Sequence, residues 1–151
     1  MSIHSIYNDQ ITYHSKNPKN FGVMEHPDVT FKGHNPLCGD SFEFYLKLDA
    51  EKKVEKIMFT GKGCAISVAS ASMMTKLAMG KTEEEVDMLV KEFQAMTTGK
   101  LDVDTQENHL GHLTVFKSIK DFPVRIKCAN LPWHTLNSAM HGQIIASTET
   151  E

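Results

Sequence analysis

The sequence predicts an α+β fold in which a small three-stranded antiparallel sheet is covered by a run of helices. Two neighbouring segments alternate apolar and polar residues, the apolar spacing then changes to a helical period, and the predicted order is helix, strands and further helices. That order is typical of helices packed on an antiparallel sheet, because strands and helices alternate in a parallel α/β fold. The 151 residues suit one domain. We predict that this domain covers residues 1–146 and that residues 147–151 form a frayed tail.

The first half of the chain carries the strand signals. Residues 3–15 place their apolar side chains as a short helix would. Residues 41–49 alternate apolar and polar side chains, and residues 54–60 return with apolar side chains on one face. Two such runs separated by a short polar turn predict a β-hairpin. Residues 29–31 indicate a third strand.

The second half has helical spacing throughout. Residues 64–79 are apolar nearly all round, which predicts a buried helix. Thr82 begins a Thr-x-x-Glu capping box and therefore marks the start of the next helix. Residues 110–119 and 124–145 predict two more helices, and Pro132 is expected to kink or restart the last of them.

Charge and cysteine content exclude several classes of protein. Lysine and arginine number 16 against 19 aspartates and glutamates, a balance that excludes a generally basic nucleic-acid-binding protein. The N-terminus shows no signal-peptide pattern, and the uncharged stretch at residues 63–75 is too short and too serine-rich to span a bilayer. Three cysteines argue against a disulfide scaffold and for a reducing compartment. We therefore expect a cytoplasmic protein with neither nucleic acid nor a membrane as partner.

Each of the three cysteines lies in a distinctive local setting. Cys38 stands in a tight turn before a strand, and Gly39 permits a bend sharp enough to aim Cys38 and Asp40 at one point. Cys64 stands where a strand becomes a helix, and the helix N-terminus lowers the pKa of a thiol placed there. Cys128 lies near the start of the last helix. Chain segments converge at such boundaries, so these residues are candidates for one shared site.

Three cysteines and one aspartate make a set of four ligands, which zinc accepts in tetrahedral geometry. The alternative is that the cysteines are buried as small hydrophobic residues, and without a Cys-x-x-Cys motif their spacing alone is weak evidence. A phosphate loop at residues 61–64 is disfavoured because the Lys-Ser/Thr pair of the Walker motif is missing. His109 and His112 could share a helix face as a second metal site, but no Glu-x-x-His pattern accompanies them.

Three ordered motifs resemble those of the U-type iron–sulfur cluster assembly proteins, the superfamily of the NifU N-terminal domain. They are Asn-Pro-Leu-Cys-Gly-Asp at 35–40, Gly-Lys-Gly-Cys-Ala-Ile-Ser at the start of 61–75, and Arg-Ile-Lys-Cys-Ala-Asn-Leu-Pro-Trp-His-Thr-Leu at 125–136. The likeness extends to the Ile-Tyr-Asn-Asp opening and to the Asn-Pro-Lys-Asn-Phe-Gly turn. It therefore spans nearly the whole chain.

Within that superfamily the chain is most similar to the SUF-type, SufU-like branch. Housekeeping scaffolds usually place a histidine directly before the third cysteine, where this chain has Lys127. The interval of 64 positions from Cys64 to Cys128 is longer than in that branch. Arg125 and the Trp-His pair at 133–134 fit the SUF-type branch instead.

The resemblance implies a zinc site and the residues that form it. The expected ligands are Cys38, Asp40, Cys64 and Cys128, with Arg125 and Lys127 in supporting roles. It also implies a zinc-dependent acceptor and carrier of persulfide sulfur, which Cys38 receives from a SufS-like cysteine desulfurase. The sulfur would pass on to a downstream iron–sulfur scaffold or an apo-protein. The chain would thus be a sulfurtransferase-type partner of the desulfurase and not a stand-alone enzyme.

Two other functions stay open at this stage. In the first, the chain is a scaffold on which a [2Fe–2S] cluster is assembled, with iron on the same ligands, because thiolates suit both metals. In the second, it is a purely structural zinc domain with a closed site whose metal never yields a ligand.

Overall fold

The computed structural model describes residues 8–35, 39–141 and 145–147, and it confirms the α+β fold. The elements in chain order are α1 (Asp9–Lys16), β1 (Val29–Asn35), β2 (Asp40–Leu48), β3 (Val54–Lys62), α2 (Ala65–Ala78), α3 (Glu83–Thr97), a 3₁₀ helix (Gly111–Asp121), α4 (Pro123–Met140) and β4 (Ile145–Ser147). The strands form one sheet in the order β3-β2-β1-β4.

The three predicted antiparallel strands are present, and the first is longer than predicted. β1 pairs with β2 along its whole length, from Val29 opposite Leu46 to Asn35 opposite Asp40. The sequence indicated only residues 29–31, because the later positions of β1 are glycine or polar and lack an apolar alternation. The consequence for the site is that the ladder brings Asn35 directly beside Asp40.

A short fourth strand extends the predicted three-stranded sheet. Ile145–Ser147 runs parallel to β1 and pairs with Lys32–His34. Three residues are too few to show an alternating pattern, which is why the sequence gave no sign of this strand. Ser147 is the first residue of the predicted tail, and the rest of that tail, residues 148–151, lies outside the described residues.

The core lies between one face of the sheet and the helices α2 and α4. Phenylalanines line this face of the sheet. Phe31 stacks on Phe44 with the ring centroids 5.5 Å apart, and Phe44 stacks on Phe59 at 5.7 Å. α2 is buried along most of its length, as its apolar composition predicted. Each large apolar side chain buried here contributes about 1.5–3 kcal/mol, so both helices are held firmly against the sheet.

The remaining helices follow local signals in the sequence. At the start of α3, Thr82 Oγ1 accepts from the Glu85 N–H at 3.2 Å, and the Glu85 carboxylate accepts from the Thr82 N–H at 3.0 Å, which confirms the capping box. The helix predicted at 110–119 is a 3₁₀ helix. α1 begins at Asp9, and residues 3–7 of the predicted first helix lie outside the described residues.

The sequence predicted a kink or a restart at Pro132, and of these two the restart is not found, since α4 runs through Pro132 as one helix. Proline has no N–H, so the usual helical bond to the carbonyl of Cys128 is not made. Packing against α2 and α3 keeps the helix continuous despite that loss. α4 ends at Met140, short of the predicted end at 145. Among the helices described, none combines the length and the apolar character needed to cross a membrane.

Candidate metal centre

Three side chains from three different elements meet at one end of the sheet. Asp40 is the first residue of β2, Cys64 is the N-cap of α2, and Cys128 lies in the second turn of α4. One carboxylate oxygen and the two Sγ atoms lie within 4.8 Å of one another. Cys38, the fourth ligand implied by the resemblance, lies outside the described residues. The structure thus brings together three of the four expected ligands.

Two glycines allow the chain to pass from β3 into α2 beside Asp40. Gly61 has φ +125°, and a Cβ there would lie 2.2 Å from the carbonyl oxygen of Ser41. A Cβ on Gly63 would lie 2.3 Å from Ser67 Oγ and 2.6 Å from Asp40 Oδ1. Only glycine fits at either position without displacing these atoms. The Gly-x-Gly-Cys sequence therefore serves the close approach of the backbone to Ser41, Ser67 and Asp40.

The Asp40 carboxylate is fully buried and its two oxygens have different surroundings. Oδ1 accepts from the Cys64 N–H at 2.9 Å and from Ser67 Oγ at 3.0 Å. Oδ2 has no hydrogen-bond partner within the described part of the chain. A buried polar atom without a partner is costly, and a cation bound beside the two thiols would satisfy it. The residues present therefore fit a divalent metal.

The electrostatics of the site favour the thiolate form. A hydrogen bond with Cys128, together with the Ser67 N–H, lowers the pKa of the Cys64 thiol to about 6, although burial opposes the shift. Cys128 is fully buried, and its Sγ accepts from Asn35 Nδ2 at 3.8 Å and from Arg125 Nη1 at 3.9 Å. A cysteine must be deprotonated to bind a metal. Cys64 is thus available near neutral pH as a thiolate, the ligand that soft and borderline metals prefer.

Sequence reasoning identified some of the groups around the three candidate ligands and missed others. Arg125, expected in a supporting role, contacts Cys128. Lys127, expected in the same role, is half-buried on α4, and the described contacts include none between it and the three ligands. Asn35 and Ser67 were missed. Ser67 stands three residues after the helix-capping Cys64, the position whose N–H an N-cap side chain accepts, and that spacing was the available signal.

The histidine pair considered as a second metal site belongs to the surface. The His109 ring and backbone N–H both bond to the Glu92 carboxylate, with Nδ1 2.8 Å from Oε2. His112 instead lines a groove between α1, α2 and the 3₁₀ helix. The described residues therefore give these two histidines separate surroundings.

A second group of potential ligands, which the sequence did not suggest, joins the start of α3 to the end of α4. Carboxylate oxygens of Glu83 and Asp87 and a ring nitrogen of His141 lie within 4.8 Å of one another. Nδ1 of His141 is 2.8 Å from Glu83 Oε1, and Nε2 is 2.9 Å from Asp87 Oδ1. The bond to Asp87 and the charges of both carboxylates raise the pKa of His141. This group is an exposed set of ion pairs.

Comparison with known proteins covers nearly the whole chain. Residues 6–129 match the family of NifU-like N terminal domains. The zinc-dependent sulfurtransferase SufU of Bacillus subtilis (strain 168) is 38% identical over 92% of this chain and 92% of its own. The iron–sulfur cluster assembly scaffold protein IscU of Streptococcus pyogenes is 36% identical over 91% and 84%. A crystal structure from Fervidobacterium islandicum, described as a candidate assembly scaffold for the SUF system, superposes with a TM-score of 0.84 at 37% identity and covers 92% of this chain and 99% of that one.

Proposed function

This chain belongs to the family of NifU-like N-terminal domains, and we propose that it is a cytoplasmic iron–sulfur cluster assembly protein that carries persulfide sulfur with the help of zinc. The sulfur comes from a cysteine desulfurase and goes on to a cluster scaffold or an apo-protein. The observation that carries the proposal is the buried Asp40 carboxylate, with one oxygen lacking a described partner, beside the thiols of Cys64 and Cys128.

Zinc suits the mixed ligand set. Iron–sulfur clusters are held chiefly by cysteine thiolates, whereas zinc accepts sulfur and carboxylate oxygen together. The position before Cys128 is Lys127, so the histidine that housekeeping scaffolds usually place there is missing. The SufU relative is itself named a zinc-dependent sulfurtransferase. Bound zinc would hold the cysteine ligands as thiolates at neutral pH.

Cys38 is the proposed acceptor of the sulfur. Cys64 is fixed as the N-cap of α2, and Cys128 is fully buried in α4, so both move only with their helices. Cys38 precedes Asp40 by two residues, and an extended chain of that length spans at most about 7 Å between the two Cα atoms. Its thiolate attacks the outer sulfur of the desulfurase persulfide. A new S–S bond forms on Cys38, the old S–S bond breaks, and the desulfurase cysteine leaves as a thiolate.

The test compares Cys38→Ser with Cys128→Ser under limiting desulfurase, and the persulfide is mapped by mass spectrometry. In the wild-type protein we expect the persulfide on Cys38. In Cys38→Ser we expect transfer to fall by at least about tenfold, because the nucleophile itself is removed. A persulfide on Cys128 with Cys38 unmodified would overturn the assignment and favour the housekeeping scaffold function.

A cluster scaffold is the second candidate, and the similarity to a relative named IscU scaffold protein supports it. Metal analysis and absorption spectra of the protein as isolated, and after reconstitution with iron and sulfide, separate the two. The zinc carrier is colourless and contains about one zinc per chain. A brown protein that retains iron and sulfide in place of zinc would support the scaffold.

A further inference from the structure

Ser67 contacts two of the ligands at once and is itself fully buried. Its hydroxyl lies 3.0 Å from Asp40 Oδ1 and 3.0 Å from the carbonyl oxygen of Cys64, and its N–H donates to Cys64 Sγ at 3.5 Å. A hydroxyl has one proton to donate, and an ionised carboxylate is the stronger acceptor. The hydroxyl therefore serves Asp40 when that residue is charged.

We propose that Ser67 is a positioning residue of the metal centre, which binds Asp40 Oδ1 and thereby reserves Oδ2 for the metal. With the Cys64 N–H it gives Oδ1 two donors, whereas Oδ2 has no partner among the described residues. This unequal bonding fixes the rotation of the carboxylate, whose χ2 is otherwise broad and roughly two-fold. The inference rests on the proposed metal-binding function.

The packing around Ser67 supports a fixed orientation of this pair. The backbone of Gly63 lies close to both Ser67 Oγ and Asp40 Oδ1. A Cβ built on Gly63 would lie 2.3 Å from the first and 2.6 Å from the second. That Cβ would also lie 2.8 Å from Cζ of Phe42, on the sheet side of the same space. The carboxylate and the hydroxyl thus share a space bounded by backbone and an aromatic ring.

Loss of an outer partner of a metal ligand typically weakens metal binding about 10–100-fold. We therefore expect Ser67→Ala to lower zinc affinity by about that factor and to speed zinc release. The affinity is measured by competition with a chromophoric chelator, and release by transfer of zinc to excess chelator. Chemical denaturation of the metal-free proteins shows that the variants fold.

Ser70→Ala is the matched control, because it makes the same change one turn further along α2. Ser70 is also fully buried, but its hydroxyl donates to the Ala129 carbonyl at 2.6 Å and not to a ligand. We expect its zinc affinity to stay within about twofold of wild type, because its hydroxyl bonds to none of the side chains that would hold the metal. An equal loss in both variants would mean a general packing effect and would overturn the inference.

A double-mutant cycle with Asp40 tests whether Ser67 acts through that carboxylate. In an Asp40→Ala background, adding Ser67→Ala should change zinc affinity by less than about twofold, because the carboxylate to be oriented is gone. If Ser67→Ala lowers zinc affinity in that background as much as it does in the wild-type background, the positioning role is overturned. A wild-type zinc affinity in the Ser67→Ala single variant would overturn it as well. If the wild-type chain binds no zinc, the proposed function fails together with the inference. If it binds zinc and only the cycle disagrees, the inference alone fails.

Discussion

The described residues include two groups of potential metal ligands within 4.8 Å of one another, and the groups differ in which of their polar atoms already have a partner. In the exposed group, each nitrogen of His141 is bonded to a carboxylate, of Glu83 or of Asp87. In the buried group, one oxygen of Asp40 accepts no hydrogen bond from any described residue. Closeness alone therefore does not distinguish a metal centre from a set of surface ion pairs. A buried polar atom without a hydrogen-bond partner does distinguish the two.

The two groups also differ in the free-energy cost of leaving the site without a metal. Exposed ion pairs exchange freely with water, and each stabilises the fold by about 0–1 kcal/mol. A buried carboxylate oxygen without a partner costs considerably more, because water cannot reach it. A cation bound in the buried group would therefore favour folding, and metal binding there would be coupled to stability.

The largest effect is expected when a ligand of the buried group is removed. Cys64→Ser and Cys128→Ser should each lower bound zinc from about one per chain to under about 0.2, since a serine hydroxyl is a far poorer zinc ligand than a thiolate. Zinc is measured by elemental analysis after gel filtration. Full retention of zinc in both variants would rule out the buried group as the metal centre.

The exposed group supplies the control for that experiment. Glu83→Gln combined with His141→Gln removes two of its three potential ligands and leaves the buried group intact. Zinc content should stay at about one per chain. Loss of zinc from this double variant would reverse the comparison between the two groups.

A smaller effect is expected for Asp40→Ala, which removes the only oxygen among the proposed ligands. Oxygen binds zinc less softly than sulfur does, so its loss changes how easily the site opens. The variant holds its metal either more loosely or in a form that does not exchange. In both cases sulfur acceptance from the desulfurase should change by about tenfold or more. Asp87→Ala, the matched change in the exposed group, should leave acceptance unaltered, and an unaltered rate in Asp40→Ala would refute the ligand's role.

The sequence predicted the buried group far better than the exposed one, for a physical reason. Asp40 and Cys64 lie at the ends of elements and Cys128 lies in the second turn of α4, and such positions near element boundaries can be recognised without coordinates. Glu83 and His141 are ordinary surface residues 58 positions apart. Their meeting depends on how α3 packs against α4, which no local pattern encodes.

Local signals also explain which parts of the fold were predicted. The capping box at Thr82 and the hairpin of β2 and β3 are determined by neighbouring residues, and both were confirmed. β4 has three residues and forms only because β1 offers it an edge. The continuous helix through Pro132 likewise depends on packing, which outweighs the local preference of proline to end a helix.

The smallest expected effect is a pH dependence of stability that belongs to the exposed group. The folded protein raises the pKa of His141 above its ordinary value, through the bond to Asp87 and the charges of Asp87 and Glu83, with partial burial opposing the shift. Its stabilisation is therefore fully present below about pH 6.5, the unfolded value, and is lost as pH rises through the folded pKa. His141→Gln should accordingly lower the free energy of unfolding more at pH 5.5 than at pH 9.

That difference is measured by urea denaturation of wild type and variant at both pH values, so that other titrating groups cancel. It should not exceed about 1 kcal/mol, because Glu83 and His141 are exposed, Asp87 is only half-buried, and salt screens their charges. It should also shrink in 1 M salt, where the screening length falls to about 3 Å. An effect of His141→Gln that is equal at pH 5.5 and pH 9 would show that the histidine acts by packing and not by charge. The exposed group would then lose the ion pairs on which its contrast with the buried group depends.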